Sequence, residues 1–417
     1  MERQNKFLLV LLIIIMLSFI VLGLITDGSG GALKGFIQIQ VHSGRLISDF
    51  IPIGGIGGTL INASLAGAVG LFIIVILKVQ LSGPTYAAIF TIMGFGFFGK
   101  TPLNILPILF GVYLSSKVAG KMFREYIIIA LFGTALGPLV SFMVFEFGFT
   151  GVTAVAAGIL AGTITGFLLP AIAVSMLHLH QGYNLYNMGL SCGFFALFAA
   201  SLVRAAGHQF ESTMVWYSGE SPVVIWLVPV LSIGLIIIGL VSEKMKSIKE
   251  FINIQKIPGR LPSDFMDMAS LGGALINSGL IGIAGSIYIF LVRGDFNGAM
   301  IAGLLTIMGF GAFGTHLKNS WSIVLGVVMS TLLFGWELSS PGPLLAALFG
   351  TTLAPLAGQF GILTGIIAGF IHLIMVMQTG AWQGGMNLYN NGFAGGLTAA
   401  IIVAVIQWYS SSKEDFS

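Results

Sequence analysis

Long apolar stretches alternate with short polar segments along the whole chain, and this pattern predicts membrane-spanning helices. The apolar runs are roughly 17–25 residues long, the length that spans a bilayer as a helix. Because backbone groups find no water partner in lipid, such runs must be helical. In the first half of the chain the predicted segments are about 7–25, 57–79, 84–98, 102–119, 125–147, 151–177 and 184–203. In the second half they are about 222–242, 268–292, 297–313, 318–335, 341–357, 361–377 and 385–408.

Two of these segments, 84–98 and 297–313, are short and rich in glycine. Each is either a full span or one limb of a re-entrant hairpin with the segment that follows it. The second reading makes 84–118 and 297–335 the two hairpins. The apolar pattern leaves both readings open.

The second half of the chain repeats the first half in the same order. The matching motifs are SGRLISDF (43–50) with PGRLPSDF (258–265), TIMGFGFFG (91–99) with TIMGFGAFG (306–314), FGTALGP (132–138) with FGTTLAP (349–355), and GYNLYNMG (182–189) with GMNLYNNG (385–392). Ordered matches of charged residues, asparagine and glycine over most of the chain indicate duplication. We therefore predict two repeats, 1–210 and 211–417, that together form one transmembrane domain.

Composition places both repeats in a membrane. Only 8% of the residues are charged, against about 25% in an ordinary soluble domain, and 56% are apolar. The net charge of +3 is spread over loops, so we expect no nucleic-acid partner. The single cysteine, Cys192, excludes an internal disulfide and any site with several cysteine ligands. We expect neither a metal nor a cofactor.

Lysine and arginine predict the orientation, because short cytoplasmic loops are enriched in both. Arg3 and Lys6 precede the first span and place the N-terminus in the cytoplasm. Counting spans then places the basic loop 243–267 inside and the loop 26–56 outside. An odd number of segments in each repeat inverts the second repeat relative to the first. We expect both termini in the cytoplasm of a prokaryote and the protein in its plasma (inner) membrane.

Inverted repeats point to transport. Two antiparallel copies related by an axis in the membrane plane create one site at their interface, which can be reached from either face. Short helices that end there offer amides or carbonyls to a solute. An enzyme or an anchor has no need of this symmetry.

Four stretches follow the pattern N-x4-G, in two symmetric pairs, and begin at Asn62, Asn184, Asn277 and Asn387. An asparagine at the start of a helix can cap free amides, and the glycine permits a close helix approach. These residues either line the pathway as the starts of half-helices or cap helices at the membrane surface. We favour the pathway, in which Tyr183, Tyr186 and Tyr389 would add hydroxyl partners.

A polar segment separates the two short apolar limbs in each repeat. The first repeat has Lys100 and Asn104 there, and the second has Asn319 with a lysine shifted to position 318. This segment is either a re-entrant tip that reaches the pathway or an ordinary turn outside the membrane. Asparagine is the better candidate for a site, because it recurs at the matching position.

Two further groups of polar residues are candidates for gating or for locking a loop onto the helices. Arg45 with Asp49, and Arg260 with Asp264, have the i, i+4 spacing of an ion pair along one helix face. They either hold a loop in place, which we favour, or contact the solute. His180 can form hydrogen bonds at the mouth of the pathway or be a plain interface residue. With His178 it forms a His-x-His pair that could bind a metal, but the sequence has no third ligand near this pair.

The stretch GYNLYNMGL (182–190) resembles the G-Y-N-x4-G-L motif at the half-helices of the urea transporter family. An inverted duplication of similar length is also the architecture of that family. This resemblance implies a passive channel for small neutral polar molecules, with Asn184 and Asn387 near the pathway. Met386 and Phe393 depart from the motif in the second repeat. As a whole, the chain is more similar to an uncharacterised prokaryotic multi-span family of unknown function.

We therefore expect a channel or transporter for a small polar solute, embedded in the lipid bilayer as a homo-oligomer. We expect no enzymatic activity, because the sequence contains no catalytic motif. Passive transport is favoured over an ion-coupled secondary transporter. The alternative class is an intramembrane enzyme or scaffold. It would need clustered acids, bases, nucleophiles or metal ligands, and the apolar segments contain few ionisable groups.

Overall fold

The computed structural model describes residues 2–211 and 214–414, and most of them are helical. The first repeat contains α1 (Glu2–Gln40), α2 (Phe50–Ile76), α3 (Gly83–Phe95), α4 (Pro102–Val118), α5 (Ile127–Gly133), α6 (Gly137–Phe145), α7 (Gly151–His180) and α8 (Asn187–Ala205). The second repeat contains α9 (Pro222–Glu243), α10 (Met245–Ile254), α11 (Phe265–Met268), α12 (Leu271–Leu291), α13 (Gly298–Phe310), α14 (Leu317–Leu333), α15 (Pro341–Phe349), α16 (Ala354–Phe360), α17 (Ile362–Trp382) and α18 (Asn390–Glu414). Short 3₁₀ turns lie at Phe123–Tyr126, Thr134–Leu136 and Gly350–Leu353.

The helices are those of a membrane protein. Within the described ranges, ten helical stretches are long and apolar enough to cross a bilayer. Their outward sides carry large apolar residues, among them Ile14, Val230 and Leu363, each more than half exposed. An exposed apolar belt of this extent is stable only when lipid covers it.

The two repeats have the same internal contacts. The side-chain amide of Gln40, at the end of α1, donates to the side-chain oxygen of Asn62 in α2 at 2.9 Å. In the second repeat, Gln255 donates to Asn277 in α12, also at 2.9 Å. A side-chain contact that recurs at matching positions confirms that the duplication seen in the sequence is a duplication of structure.

The repeats are inverted and meet along two pairs of matching helices. The short helices α3 and α13 pack antiparallel, with Gly94 against Ala302 and Gly309 against Ala87. The helices α8 and α18 cross near their first turns, where a side chain on Gly189 would lie 2.7 Å from the Cα of the matching glycine in α18. Because each helix runs against its own counterpart, the second repeat is turned upside down relative to the first.

The segments predicted as loops, 26–56 and 243–267, are largely helical, so that prediction was wrong. Helix α1 bends at Gly28, which has a φ of 68°, and continues to Gln40. The matching helix α10 is short and amphipathic, with Ser247 buried while the lysines beside it stay exposed. Neither piece resembles an apolar span, so the apolar pattern along the chain missed both.

The segments 125–147 and 341–357 were predicted as single spans, but each is broken in the middle. The 3₁₀ turn Thr134–Leu136 separates α5 from α6, and Gly350–Leu353 separates α15 from α16. Proline follows each break, at positions 138 and 355, and proline has no amide to continue the hydrogen-bond ladder. Each span therefore consists of two half-helices that meet inside the protein.

The geometry of the short helices favours re-entrant hairpins. At 1.5 Å per residue, α3 is about 20 Å long and α4 about 26 Å, less than the roughly 30 Å of a bilayer core. The turn between them, residues 96–101, is buried, and so is the matching turn, residues 311–316. A polar turn outside the membrane would be solvated, so these turns lie within the helix bundle.

Candidate functional site

A cavity of about 630 Å³ lies at the interface of the two repeats. It is lined by matching residues from both repeats, namely Thr91 with Thr306, Phe95 with Phe310, Phe132 with Phe349, Tyr186 with Tyr389, and Gly189 with Gly392. These residues belong to α3, α5 and α8 and to their counterparts α13, α15 and α18, with each tyrosine just before its helix. The cavity is therefore centred on the axis that relates the repeats.

Aromatic rings form its walls in the same arrangement on both sides. Phe95 lies 4.9 Å from Tyr389 and 5.6 Å from Phe349, measured between ring centroids. Its counterpart Phe310 lies 4.3 Å from Tyr186 and 5.7 Å from Phe132. The packed rings make a mostly apolar chamber.

One end of the cavity is open. His178, Arg260 and Pro262 line it there, and all three are exposed. This end lies beside the loop that follows α10, on the side that the positive-inside rule predicts to be cytoplasmic.

Arg45 is the counterpart of Arg260, and the symmetry of the repeats places it at the opposite end. Arg45 is 3% exposed, and its guanidinium lies 2.7 Å from the carboxylate of Glu146. It also donates to the backbone oxygens of Glu211, at 3.1 Å, and Gly384, at 3.2 Å. Within the described chain, none of these residues lines the cavity.

The linker between the repeats contacts the loop that contains Arg45. The amide of Val215 donates to the oxygen of Ile47, and the amide of Asp49 donates to the oxygen of Val215, both at 3.0 Å. The ring of Phe210 lies 5.9 Å from the guanidinium of Arg45. The described part of the linker therefore stabilises the position of the Arg45 loop.

The predicted ion pairs within the GRLxSDF motifs do not form. Residues 41–48 and 258–263 are not helical, so the i, i+4 spacing does not bring the charges together. Arg45 binds Glu146 instead. Arg260 donates to the backbone oxygen of Gln181 at 2.8 Å and lies 4.3 Å from the ring centre of Tyr183.

The two aspartates of these motifs cap the short helices of the opposite repeat. Asp49 accepts from the amide of Gly298 at 3.1 Å, at the start of α13, and Asp264 accepts from the amide of Gly83 at 3.0 Å, at the start of α3. Burial raises the pKa of Asp49 to about 6, whereas hydrogen bonds from backbone amides lower it. Burial and the nearby Asp267 likewise raise the pKa of Asp264 to about 6.

Asn62 and Asn277 lie inside α2 and α12 and not at helix starts, so the capping geometry predicted for them was wrong. The side-chain amide of Asn62 donates to the backbone oxygens of Gly96, at 2.6 Å, and Lys100, at 2.8 Å. Asn277 makes the same two contacts with the turn after α13, at 2.7 and 2.8 Å. Both residues hold a re-entrant turn, and neither is among the described lining residues of the cavity.

Asn184 and Asn387 lie in the extended segments before α8 and α18, and both are fully buried. The oxygen of Asn184 accepts from the amide of Tyr186 at 3.3 Å, and that of Asn387 accepts from the amide of Tyr389 at 3.0 Å. Asn184 also donates to the backbone oxygen of Gly392 at 3.0 Å. These asparagines shape the segments that present the two tyrosines to the cavity.

Asn104 and Asn319 cap α4 and α14 after the re-entrant turns. Asn104 accepts from the amide of Thr101 at 2.9 Å, and Asn319 accepts from the amide of His316 at 2.8 Å. Each also donates to the backbone oxygen of the last glycine of its turn, at 3.0 Å. Asn104 also donates to the hydroxyl of Ser141 at 3.1 Å, and Asn319 to the backbone oxygen of Pro258 at 3.2 Å, so both asparagines fasten their turn to a neighbouring segment.

His180 and Tyr183 lie behind the open end and not among the described lining residues. His180 shares a hydrogen bond of 2.9 Å with the side-chain oxygen of Asn187, the first residue of α8. The ring of Tyr183 packs 5.1 Å from that of Phe360. Within the described ranges, no group of three or more metal-ligating side chains is present.

Lys100 breaks the symmetry of the site. It is fully buried, and its side-chain nitrogen donates to the hydroxyls of Thr134, at 2.7 Å, and Tyr389, at 2.6 Å. The second repeat has Thr315 at the matching position, and the hydroxyls of Thr315 and Tyr186 are buried without a hydrogen-bond partner. One tyrosine of the cavity is therefore paired with an amine, and the other is not.

Sequence reasoning missed the threonines and phenylalanines of the cavity. A signal was present, because TIMGF and FGT occur in both repeats and contain Thr91, Phe95 and Phe132 with their counterparts. The motifs indicated duplication. That they face one another across the interface follows only from the antiparallel packing of α3 and α13.

The fold and the cavity define a polytopic helical membrane protein built from two inverted repeats. The family model for a protein of unknown function, DUF1576, matches residues 29–205 and 243–408, and the chain belongs to this family. The match to such a family confirms the expectation from the sequence. No match was found among curated proteins or among solved structures. The comparisons therefore give no support to the resemblance to urea transporters.

Proposed function

We propose that this protein is a transporter that carries a small polar solute by exposing the interface cavity to the two sides of the membrane in turn. The observation that supports the proposal is the asymmetry of the cavity. Its walls come from matching residues of both repeats, yet exposed Arg260 lines one end, whereas the matching Arg45 is buried and is not among the described lining residues.

The two ends are related by the same axis as the repeats. If the two repeats exchanged their conformations, the Arg45 end would open and the Arg260 end would close. Two states of equal architecture are the basis of alternating access. A closed end in one state favours a carrier over the passive channel that the sequence favoured.

The closed end contains an ion pair that can act as a gate. Arg45 makes its charged contact with Glu146, which is 29% exposed on its side chain, so water reaches one partner. Because Arg45 itself is buried, opening this end requires its guanidinium to exchange Glu146 for water and not to stay unpaired in the interior.

Labelling of a cysteine in the cavity tests the proposal. Thr91→Cys in a Cys192→Ala background places the reporter on the cavity wall, and Ser29→Cys, an exposed residue outside the cavity, is the control. With a membrane-impermeant maleimide, we expect Thr91→Cys to react from the Arg260 side and, more slowly, from the other. Reaction from one side only, unchanged by any solute tested in proteoliposomes, would contradict alternating access.

A further inference from the structure

We propose that the solute is an organic anion, with a carboxylate head at the inner end of the cavity and an apolar body against its aromatic walls. This proposal rests on the transport function proposed above. It assigns the chemical class of the solute, which the fold alone does not define.

Two helix N-termini meet at the cavity. The first residues of α8, Asn187 and Met188, line it, and so do Asn391 and Gly392 at the start of α18. No side chain caps the N-terminus of α8. Unpaired amides and the helix dipole give each N-terminus a partial positive charge of about half an elementary charge, which favours an anion.

The hydroxyl of Tyr186 is the second, independent observation. Tyr186 lines the cavity and is 7% exposed, and its hydroxyl, which lies near Thr351, makes no hydrogen bond of ordinary geometry. A buried hydroxyl without a partner is costly and is expected to find one when a ligand binds. The hydroxyl of its counterpart Tyr389 is already bound to Lys100, at 2.6 Å. The site thus offers one unpaired hydroxyl, that of Tyr186.

The charges around the cavity have one sign. Arg260, at the open end, is the only lysine or arginine among the described lining residues. No aspartate or glutamate occurs among the described lining residues. A cation would meet like charge and two positive helix ends, whereas an anion would be attracted into the cavity.

The apolar walls indicate that the anion is organic. A bare inorganic anion would lose its hydration against Phe95, Phe310 and Phe349 and gain nothing in return. A carboxylate with a ring or a branched chain would place its charge at the helix ends and its body between these rings. The volume of about 630 Å³ is within the range of pockets for small organic ligands.

Binding of a matched set of probes tests the proposal on the full-length protein in nanodiscs. The probes are benzoate, the neutral benzamide, the cationic benzylamine, and chloride. We expect benzoate to bind by calorimetry and to drive counterflow in proteoliposomes, while the other three bind at least tenfold more weakly. If benzamide or benzylamine bound as tightly as benzoate, the solute would not need a negative charge and the proposal would be wrong. If chloride bound as tightly as benzoate, the solute would not need an apolar body, which would also contradict the proposal.

Tyr186→Phe keeps the ring and removes only the donor. Loss of a hydrogen bond to a charged group should weaken benzoate binding about tenfold or more. The matched control is Tyr288→Phe, because Tyr288 also has a buried hydroxyl without a partner but is not among the described lining residues. Equal effects of the two variants would overturn the assignment. Failure of the proposed transport function is recognised separately, because Thr91→Cys would then react with the maleimide from one side of the membrane only.

Discussion

The carboxylate of Asp49 in the first repeat accepts a hydrogen bond from the backbone amide of Gly298 in the second, at 3.1 Å. Its counterpart Asp264 does the same for Gly83 of the first repeat, at 3.0 Å. Each short helix at the centre of the protein is therefore capped at its N-terminus by an aspartate of the other repeat. This exchange joins each re-entrant hairpin to the loop of the opposite repeat.

Removal of one such cap should destabilise the interface. Asp49→Ala leaves three backbone amides without their acceptor, those of Ile51, Tyr217 and Gly298. We expect a loss of roughly 1–2 kcal/mol, the usual cost of a lost helix cap, and a lower thermal midpoint in detergent. Asp49→Asn retains an acceptor and should lose less. The exposed Asp267→Ala is the control, and a midpoint for Asp49→Ala equal to that of the control would contradict the capping role.

The sequence predicted the importance of these aspartates but not their partners. The repeated GRLxSDF motif showed that Arg45 and Asp49 matter in both copies, and the i, i+4 spacing suggested that they pair. The loop is not helical, so Asp49 reaches Gly298, while Arg45 binds Glu146 and the backbone of Gly384. Periodicity describes contacts within one helix, and it has no information on which distant segment lies opposite.

Neutralising Glu146 should loosen the closed end of the cavity. Glu146→Gln removes the charge that faces Arg45 at 2.7 Å and leaves the other contacts of Arg45 in place. We expect the Thr91→Cys reporter to react severalfold faster with an impermeant maleimide added on the Arg45 side. The exposed Glu337→Gln should leave the rate unchanged. An unchanged rate in Glu146→Gln as well would show that the ion pair does not limit access.

Asn62 should be required for folding and not directly for binding. Asn62→Leu leaves the backbone oxygens of Gly96 and Lys100 without their donor in a buried turn. Each unsatisfied group costs about 1–3 kcal/mol, so we expect most of the protein to aggregate in fluorescence-detected gel filtration. Asn253→Leu, on the amphipathic helix α10, is the control. A folded Asn62→Leu protein that no longer transports would instead restore the pathway role predicted from the sequence.

The four asparagines show where sequence reasoning ends. Their recurrence in symmetric pairs marked them as important, and all four are fully buried. Their roles differ because Asn62 meets a turn of its own repeat, whereas Asn184 meets Gly392 of the other repeat. The same N-x4-G pattern therefore supports two structural roles, and only the packing of the helices separates them.

The orientation of the inverted repeats can be tested by two cysteines in a Cys192→Ala background. Ser29 lies at the bend of α1, and Lys249 lies on the matching helix α10; both are exposed. On intact cells, an impermeant maleimide should label Ser29→Cys at once and Lys249→Cys only after permeabilisation. The two residues lie on matching helical segments of oppositely oriented repeats. Equal labelling of both on intact cells would contradict opposite placement.

The crossing of α8 and α18 should tolerate no side chain at Gly189. An added Cβ there would lie 2.7 Å from the Cα of Gly392, and backbone cannot move aside as a flexible side chain can. We expect Gly189→Ala to cost roughly 1–3 kcal/mol through overpacking and to lower the thermal midpoint. Gly234→Ala in α9 is the matched control, because no atom lies within 4 Å of its added Cβ, and helical alanine is more stable than glycine by about 0.5–1 kcal/mol. The two glycine-to-alanine changes should thus shift stability in opposite directions. If Gly189→Ala were as stable as Gly234→Ala, the two helix N-termini could not be in direct contact, and the site proposed between them would lose its geometric basis.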